Sequence, residues 1–344
     1  MNIYPWQEIV WRRLVSTGKG QPNALLLKGQ KGTGKLDFAR ALSQYLLCED
    51  RLSSLAACGK CQGCLWYLNG NHPDFRLLQP AAYDAPEQAR DPDERIGNAE
   101  KKEGNQIGIE QIRELDDFIN LTSHRSGYKV IVIHPAEAMN LHAANAVLKT
   151  LEEPPDNSLF ILVSHRPQRL LPTIVSRCRS VAMPVPSREA ALGWLAKQSI
   201  AEQDIALAQA GYAPLAAVEV AKRENQKQRK EFLQLISAPK LDPLSLAENA
   251  RQYPLSDIVS WLQKWICDLA YCKFTGKVRY HLDFAEALQR LCVMVNALHL
   301  MHYYRELLAA QRALQHPLNS QLVLEQLAVS YCRRVLNAGE LTYE

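Results

Sequence analysis

The run GQKGTGKL at residues 29–36 constrains the fold of this chain more than any other stretch, because a loop with this spacing suits one purpose. Gly29, Gly32 and Gly34 let backbone N–H groups converge on a phosphate, and Lys35 adds positive charge at the start of the next helix. Such a loop works only between a strand and a helix, and LLL before it and FARALSQYLL after it supply both. The last position departs from the pattern: Leu36 stands where a Ser or Thr hydroxyl should ligate magnesium. The cradle is kept and the metal ligand is lost, so ATP is expected to bind weakly or not at all.

A hydrolytic site also needs a carboxylate at the end of a second buried strand, usually followed by another acid that activates water. Here the strand at 130–133 runs into His134 and Pro135. Neutral imidazole is a poor ligand for a hard, oxygen-seeking ion, and proline offers no side-chain base. Glu110 and Glu137 are the nearest other acids, and Glu137 is expected to face solvent or cap a helix. The reading is a nucleotide-type fold with no intrinsic ATPase activity.

Four of the nine cysteines crowd together as C-x9-C-x2-C-x2-C: Cys48, Cys58, Cys61 and Cys64. A C-x2-C turn brings two thiolates to one ion, and four thiolates close the tetrahedral shell of zinc and leave no catalytic position open. Gly59 and Gly63 are expected to supply backbone freedom for the turns. An iron–sulfur cluster and a redox CxxC pair are the competing readings. Cys178, Cys267, Cys272, Cys292 and Cys332 lie among apolar residues and read as buried thiols. Lys60 is the only cation between Cys58 and Cys64, which argues against a phosphate-reading finger and for a loop stapled by metal.

With 344 residues there is room for two or three domains. A net charge of +4 is too small over this length to argue by itself for nucleic acid. No apolar stretch approaches the roughly 20 residues that cross a membrane, and the start MNIYPWQEIVWRRL lacks a signal-peptide pattern. A cytoplasmic location is expected, and there cysteines stay reduced or bind metal. Residues 79–106 carry Pro80, Pro86 and Pro92 with seven acids and four bases, and read as a solvated loop or a short disordered stretch.

Apolar residues Ile109, Ile112, Leu115 and Ile119 recur at helical spacing, YKVIVI follows as a strand, and NAVLKTLEEPP and LFILVS repeat the alternation. That order predicts an α/β domain at 1–184 with a parallel sheet, carrying the cysteine module at 48–78. Beyond Pro184 no strand pattern appears. Ser187 suits the N-cap of EAALGWLAKQ, and stripes at Ile258, Leu262, Trp265, Leu269 and at Leu322, Leu327, Tyr331, Val335 are helical. A small helical domain at 185–226 and an all-helical one at 227–344 follow.

NAVLKTLEEPP at 145–155, with Ser176, Arg177 and Cys178 beyond the strand FILVS, resembles the bacterial clamp-loader branch of the AAA+ ATPases. YPW at 4–6, the four-cysteine insertion and the damaged P-loop add to the resemblance. It covers the whole length, is tightest between Cys48 and Cys178, and rests on helical character alone after Pro186. It implies an AAA+ α/β domain, a helical lid at 185–226 and a collar at 227–344 that holds an oligomer together. Arg177 is the residue whose family counterpart reaches the ATP of a neighbouring subunit, and Arg179 is the rival for that role. The family's ATP-burning members also carry a lid arginine; here AGYAPLAA offers Gly211 and then Pro214 in its place. The implied partners are the ATPase (gamma/tau) and delta subunits of the clamp loader, and through them the sliding clamp and primed DNA. Two other classes stay open: an active DNA-dependent AAA+ ATPase, and a zinc-dependent DNA-binding protein.

Overall fold

The computed structural model describes residues 3–16, 22–50, 55–83, 104–120, 128–222, 225–238, 241–314 and 319–336. Most of the charged 79–106 segment, residues 84–103, therefore lies outside the described residues. The chain divides into two compact units that meet in sequence between Ala190 and Ala191.

Five parallel strands form the first unit's sheet in the order β2-β3-β4-β1-β5, with β1 at Ala24–Lys28, β2 at Phe75–Leu78, β3 at Lys129–Ile133, β4 at Ser158–Ser164 and β5 at Arg179–Ala182. The three central strands are apolar on both faces, as a sheet covered on both sides requires. Their side chains alternate: Leu25, Leu27, Val130, Val132, Leu159, Ile161 and Val163 face one core, and Leu26, Ile131, Ile133, Phe160 and Leu162 face the other. The first core is roofed by α1 (Glu8–Val15), α2 (Lys35–Leu47) and α3 (Gln62–Leu68). The second is roofed by α4 (Ile109–Asn120), α5 (Leu141–Glu152) and α6 (Pro172–Arg177). Fully burying each such side chain contributes about 1.5–3 kcal/mol, so these strands announce themselves in sequence.

The edge strands do not. β2 and β5 are four residues each and mostly exposed or half-buried, and neither has the apolar run that marks β1, β3 and β4. A buried charge also helps to assemble the sheet: the Lys129 ammonium donates to the carbonyls of Phe118 and Ile119, closing the C-terminal end of α4.

The second unit is helical throughout its described residues, as the missing strand pattern predicts. One small core joins Ala191, Leu195, Leu207 and Ala217, and a larger one runs from Phe232 to Val335 around the 21-residue helix Leu255–Thr275. Trp265 at its centre donates to the Tyr331 hydroxyl at 3.0 Å, which donates to the Ile236 carbonyl at 2.9 Å, so the buried aromatics have their polar ends satisfied. The stripe at Ile258, Leu262, Trp265 and Leu269 is buried, as are Leu327, Tyr331 and Val335. Leu322 departs from that expectation at 61% exposed, because it sits in the first turn of its helix. Ser187 caps its helix through the Ala190 N–H at 3.2 Å.

Candidate functional site

The 29–36 loop links the C-terminal end of β1 to α2, the edge of a parallel sheet where α/β proteins bind ligands. Gly32 and Gly34 adopt φ of 81° and 82°, a left-handed backbone that lets consecutive N–H groups turn inward. Lys35 is buried, and its ammonium donates to the carbonyls of Gly29 at 2.8 Å and Gln30 at 2.5 Å. Burial pushes it down to about 8, against the pull of Glu137. Leu36 is half-buried and packs into the core beneath α2. The position that should present a hydroxyl to a metal is thus an apolar packing residue.

The N-terminal YPWQ segment clasps this loop, a role the sequence did not announce. Trp6 Nε1 donates to Thr33 O at 3.1 Å, Gln7 Nε2 donates to Thr33 O and Gly34 O at 3.0 and 2.9 Å, and Tyr4 OH donates to Asp37 at 3.0 Å. A Cβ on Gly34 would lie 2.4 Å from the Tyr4 ring, so this glycine is needed for space as well as for its φ.

His134 and Pro135 follow β3 where paired acids are expected, and a second imidazole, His165, stands at the end of β4. His134 Nδ1 lies 3.1 Å from Gln79 Nε2, and His134 Nε2 lies 3.3 Å from His165 Nε2. Gln79, His134 and His165 thus form a polar chain whose far end, His165 Nδ1, is buried without a partner. Burial drives both imidazoles down to about 4, with Lys35 lowering them further. Glu137 overturns its expectation. It turns inward, with one carboxylate oxygen accepting from the N–H of His165 at 2.9 Å and of Arg166 at 3.1 Å and the other buried without a partner. It fastens the exit of β3 to the exit of β4, a contact invisible at a sequence separation of 28. Glu110 is exposed in the first turn of α4.

Arg177 ends α6 beside the C-terminal end of α5. Its guanidinium pairs with Glu152 at 2.5 Å and donates to Thr173 O at 3.1 Å, with 36% of the side chain exposed. Arg179, the rival, is exposed at the start of β5, while Cys178 between them is buried and its thiol is pushed up to about 11. In the second unit Pro214 takes the first position of the helix Pro214–Lys222, where its missing N–H costs nothing.

The four cysteines expected to share an ion do converge: their sulfurs all lie within 4.8 Å of one another. Cys48 and Cys61 are 3.9 Å apart and Cys58 and Cys64 are 4.0 Å apart. Ligands about 2.3 Å from one tetrahedral ion sit at such separations, whereas a cluster spreads its thiolates over several irons. Backbone N–H groups of Cys58, Cys61 and Cys64 point at neighbouring sulfurs at 3.3–3.4 Å, which favours thiolate; backbone N–H bonds bring Cys58 down to about 7. Burial opposes them at Cys48 and Cys64, whose thiols are raised. The donor set therefore fits one soft, four-coordinate cation. Gly59 has the expected turn conformation at φ 72°. Gly63 does not: its Cβ would meet Leu47 O at 2.6 Å, so close helix approach, not backbone freedom, selects glycine there.

A phosphate loop at the carboxyl edge of a five-stranded parallel sheet, followed by helices, defines an α/β domain of the P-loop kind. A family model described as DNA polymerase III, delta subunit, matches residues 7–187, and one for the C terminal of the delta subunit matches 223–331. The delta-prime subunit of DNA polymerase III from Pseudomonas aeruginosa is 37% identical over 293 residues, 83% of this chain and 80% of that one. Its Escherichia coli counterpart is 33% identical over 279 residues, covering 78% and 76%. A solved DNA polymerase III gamma subunit-related protein from Thermotoga maritima aligns over 96% of this chain and 99% of its own, at 18% identity and a TM-score of 0.45. The chain belongs to the family of DNA polymerase III delta-prime subunits. Among its described residues no helix is long and apolar enough to cross a membrane.

Proposed function

We propose that this chain is a non-hydrolysing subunit of the DNA polymerase III clamp loader in the cytoplasm, lending Arg177 to the ATP site of a neighbouring ATPase subunit. The observation that carries the reading is a division of labour within one domain. Leu36 is packed as a core residue and His134 and Pro135 stand at the expected acid positions, which supports a cradle that neither ligates magnesium nor activates water. Arg177 meanwhile stands at a rim, partly exposed and charged. A guanidinium entering a neighbour's site neutralises charge on the transferring phosphoryl group, and the residue stays with the subunit that has no turnover of its own.

The rest of the assignment follows from the same family. Residues 185–226 serve as the lid, and 227–344 as the collar that binds gamma/tau and delta, bringing the sliding clamp and primed DNA within reach of the complex. Gly29, Gly32, Gly34 and Lys35 keep a cradle with weak or no nucleotide affinity, and Cys48, Cys58, Cys61 and Cys64 hold structural zinc, which ties the end of α2 to the start of α3.

The purified chain is expected to show no magnesium-dependent ATP turnover, with or without DNA. In the reconstituted complex, Arg177→Ala should lower ATPase at the adjacent site by about 10³-fold while the subunit still assembles. Turnover by the lone chain would instead favour an active DNA-dependent ATPase.

A further inference from the structure

Glu152 is the last residue of α5, where the helix dipole already concentrates negative charge. An acid there gains nothing from its own helix. Its partner is 25 residues away: Oε1 meets Arg177 at 2.5 Å, and the pair is half-open to solvent at 36% and 50% exposure. Exposed pairs of this kind contribute little to folding, so stability does not account for it either. The backbones beneath the pair are fixed, because α5 and α6 share a core through Val147, Leu151 and Ile174.

The guanidinium is held on two sides, by Glu152 and by the Thr173 carbonyl 3.1 Å from NH1. Arginine has five N–H donors in a planar fork, so these contacts leave donors for an outside anion. A long side chain that waves freely must lose rotamer freedom each time it enters a neighbour's site, whereas one already fixed does not. We infer that Glu152 is the positioning residue for Arg177, holding its guanidinium from behind so that the remaining donors face the triphosphate of the adjacent subunit. The inference rests on the role proposed for Arg177 above.

The test is a reconstituted clamp loader carrying Glu152→Ala, Glu152→Gln, Arg177→Ala or the double change, assayed for ATP turnover with clamp and primed DNA, with assembly checked by gel filtration. Glu152→Ala should lower kcat about fivefold, or about 1 kcal/mol, and leave KM for ATP unchanged. Glu152→Gln keeps an acceptor of the same size and should lower it only about twofold. The double variant should match Arg177→Ala alone, because a positioning residue has nothing left to position. Unchanged or faster turnover in Glu152→Ala, where Arg177→Ala is impaired, overturns the inference. So does an equal Glu152 effect with Arg177 already removed. Full activity of Arg177→Ala is a different failure: it sinks the finger itself. Should the alanine variant fail to assemble, the glutamine variant decides.

Discussion

The two faces of one parallel sheet have taken opposite paths. On one side lie α1, α2 and α3 with the phosphate cradle and the four cysteines; on the other lie α4, α5 and α6 with Arg177 and Glu152. The first face keeps the shape of a reactive site and fills its reactive positions with packing: Leu36 joins the core, and Lys35 is bonded to its own loop. The second face presents its charge at a rim. On the proposed function, the contrast teaches that a fold can retain a site's scaffold without its reaction, because the scaffold's glycines and buried lysine also serve the structure. A mutation on the cradle side should therefore register as stability, and one on the rim side as activity of the assembly.

The strongest challenge to that division is the metal. Stripping the ion with a chelator, or replacing Cys61 with Ser, should lower the melting temperature by about 10 °C, since a closed thiolate site contributes folding energy directly. Arg177 should keep its function in whatever fraction remains folded. Melting followed with bound zinc quantified checks this, and an unchanged melting curve after complete metal loss would break the comparison.

Acid probes the same face more gently. His134 and His165 are neutral in the folded chain, held at about 4, while unfolded imidazoles take up protons near 6.5. Stability is therefore fully present above about pH 6.5 and lost as pH falls towards 4. Chemical denaturation at pH 7 and pH 5 should differ, and His165→Gln should shrink the difference. A flat profile in the parent chain would place these imidazoles in solvent.

The smallest effect sharpens the comparison most. Leu36→Thr restores a hydroxyl but leaves His134 and Pro135 in place, so it should cost about 1–2 kcal/mol and confer no hydrolysis. Denaturation midpoint and ATP assay read the two outcomes together. Hydrolysis gained from that change alone would mean the second half of the site is intact.

Much of the candidate site was legible because its signals are local. The glycine spacing at 29–34, the C-x2-C pairs and the central apolar strands each specify geometry over a few residues. The edge strands β2 and β5 escaped because half-exposed strands carry no apolar run. Gly63 was noticed for the wrong reason, since its tight neighbour, Leu47 O, belongs to a different helix.

The chain by itself settled which residues could form a phosphate loop, which four could share an ion, and that a leucine stands where the loop's hydroxyl is expected, because these depend on residue type and short spacing. Only the tertiary structure decided that Glu137 turns inward, that His134 meets His165, that Tyr4 and Gln7 close over Gly34, and that Glu152 holds Arg177. Each of those contacts joins separate elements, and the order in which the parallel strands line up brings such elements together. Periodicity along the chain says which side of an element is buried, and sheet order says what it is buried against.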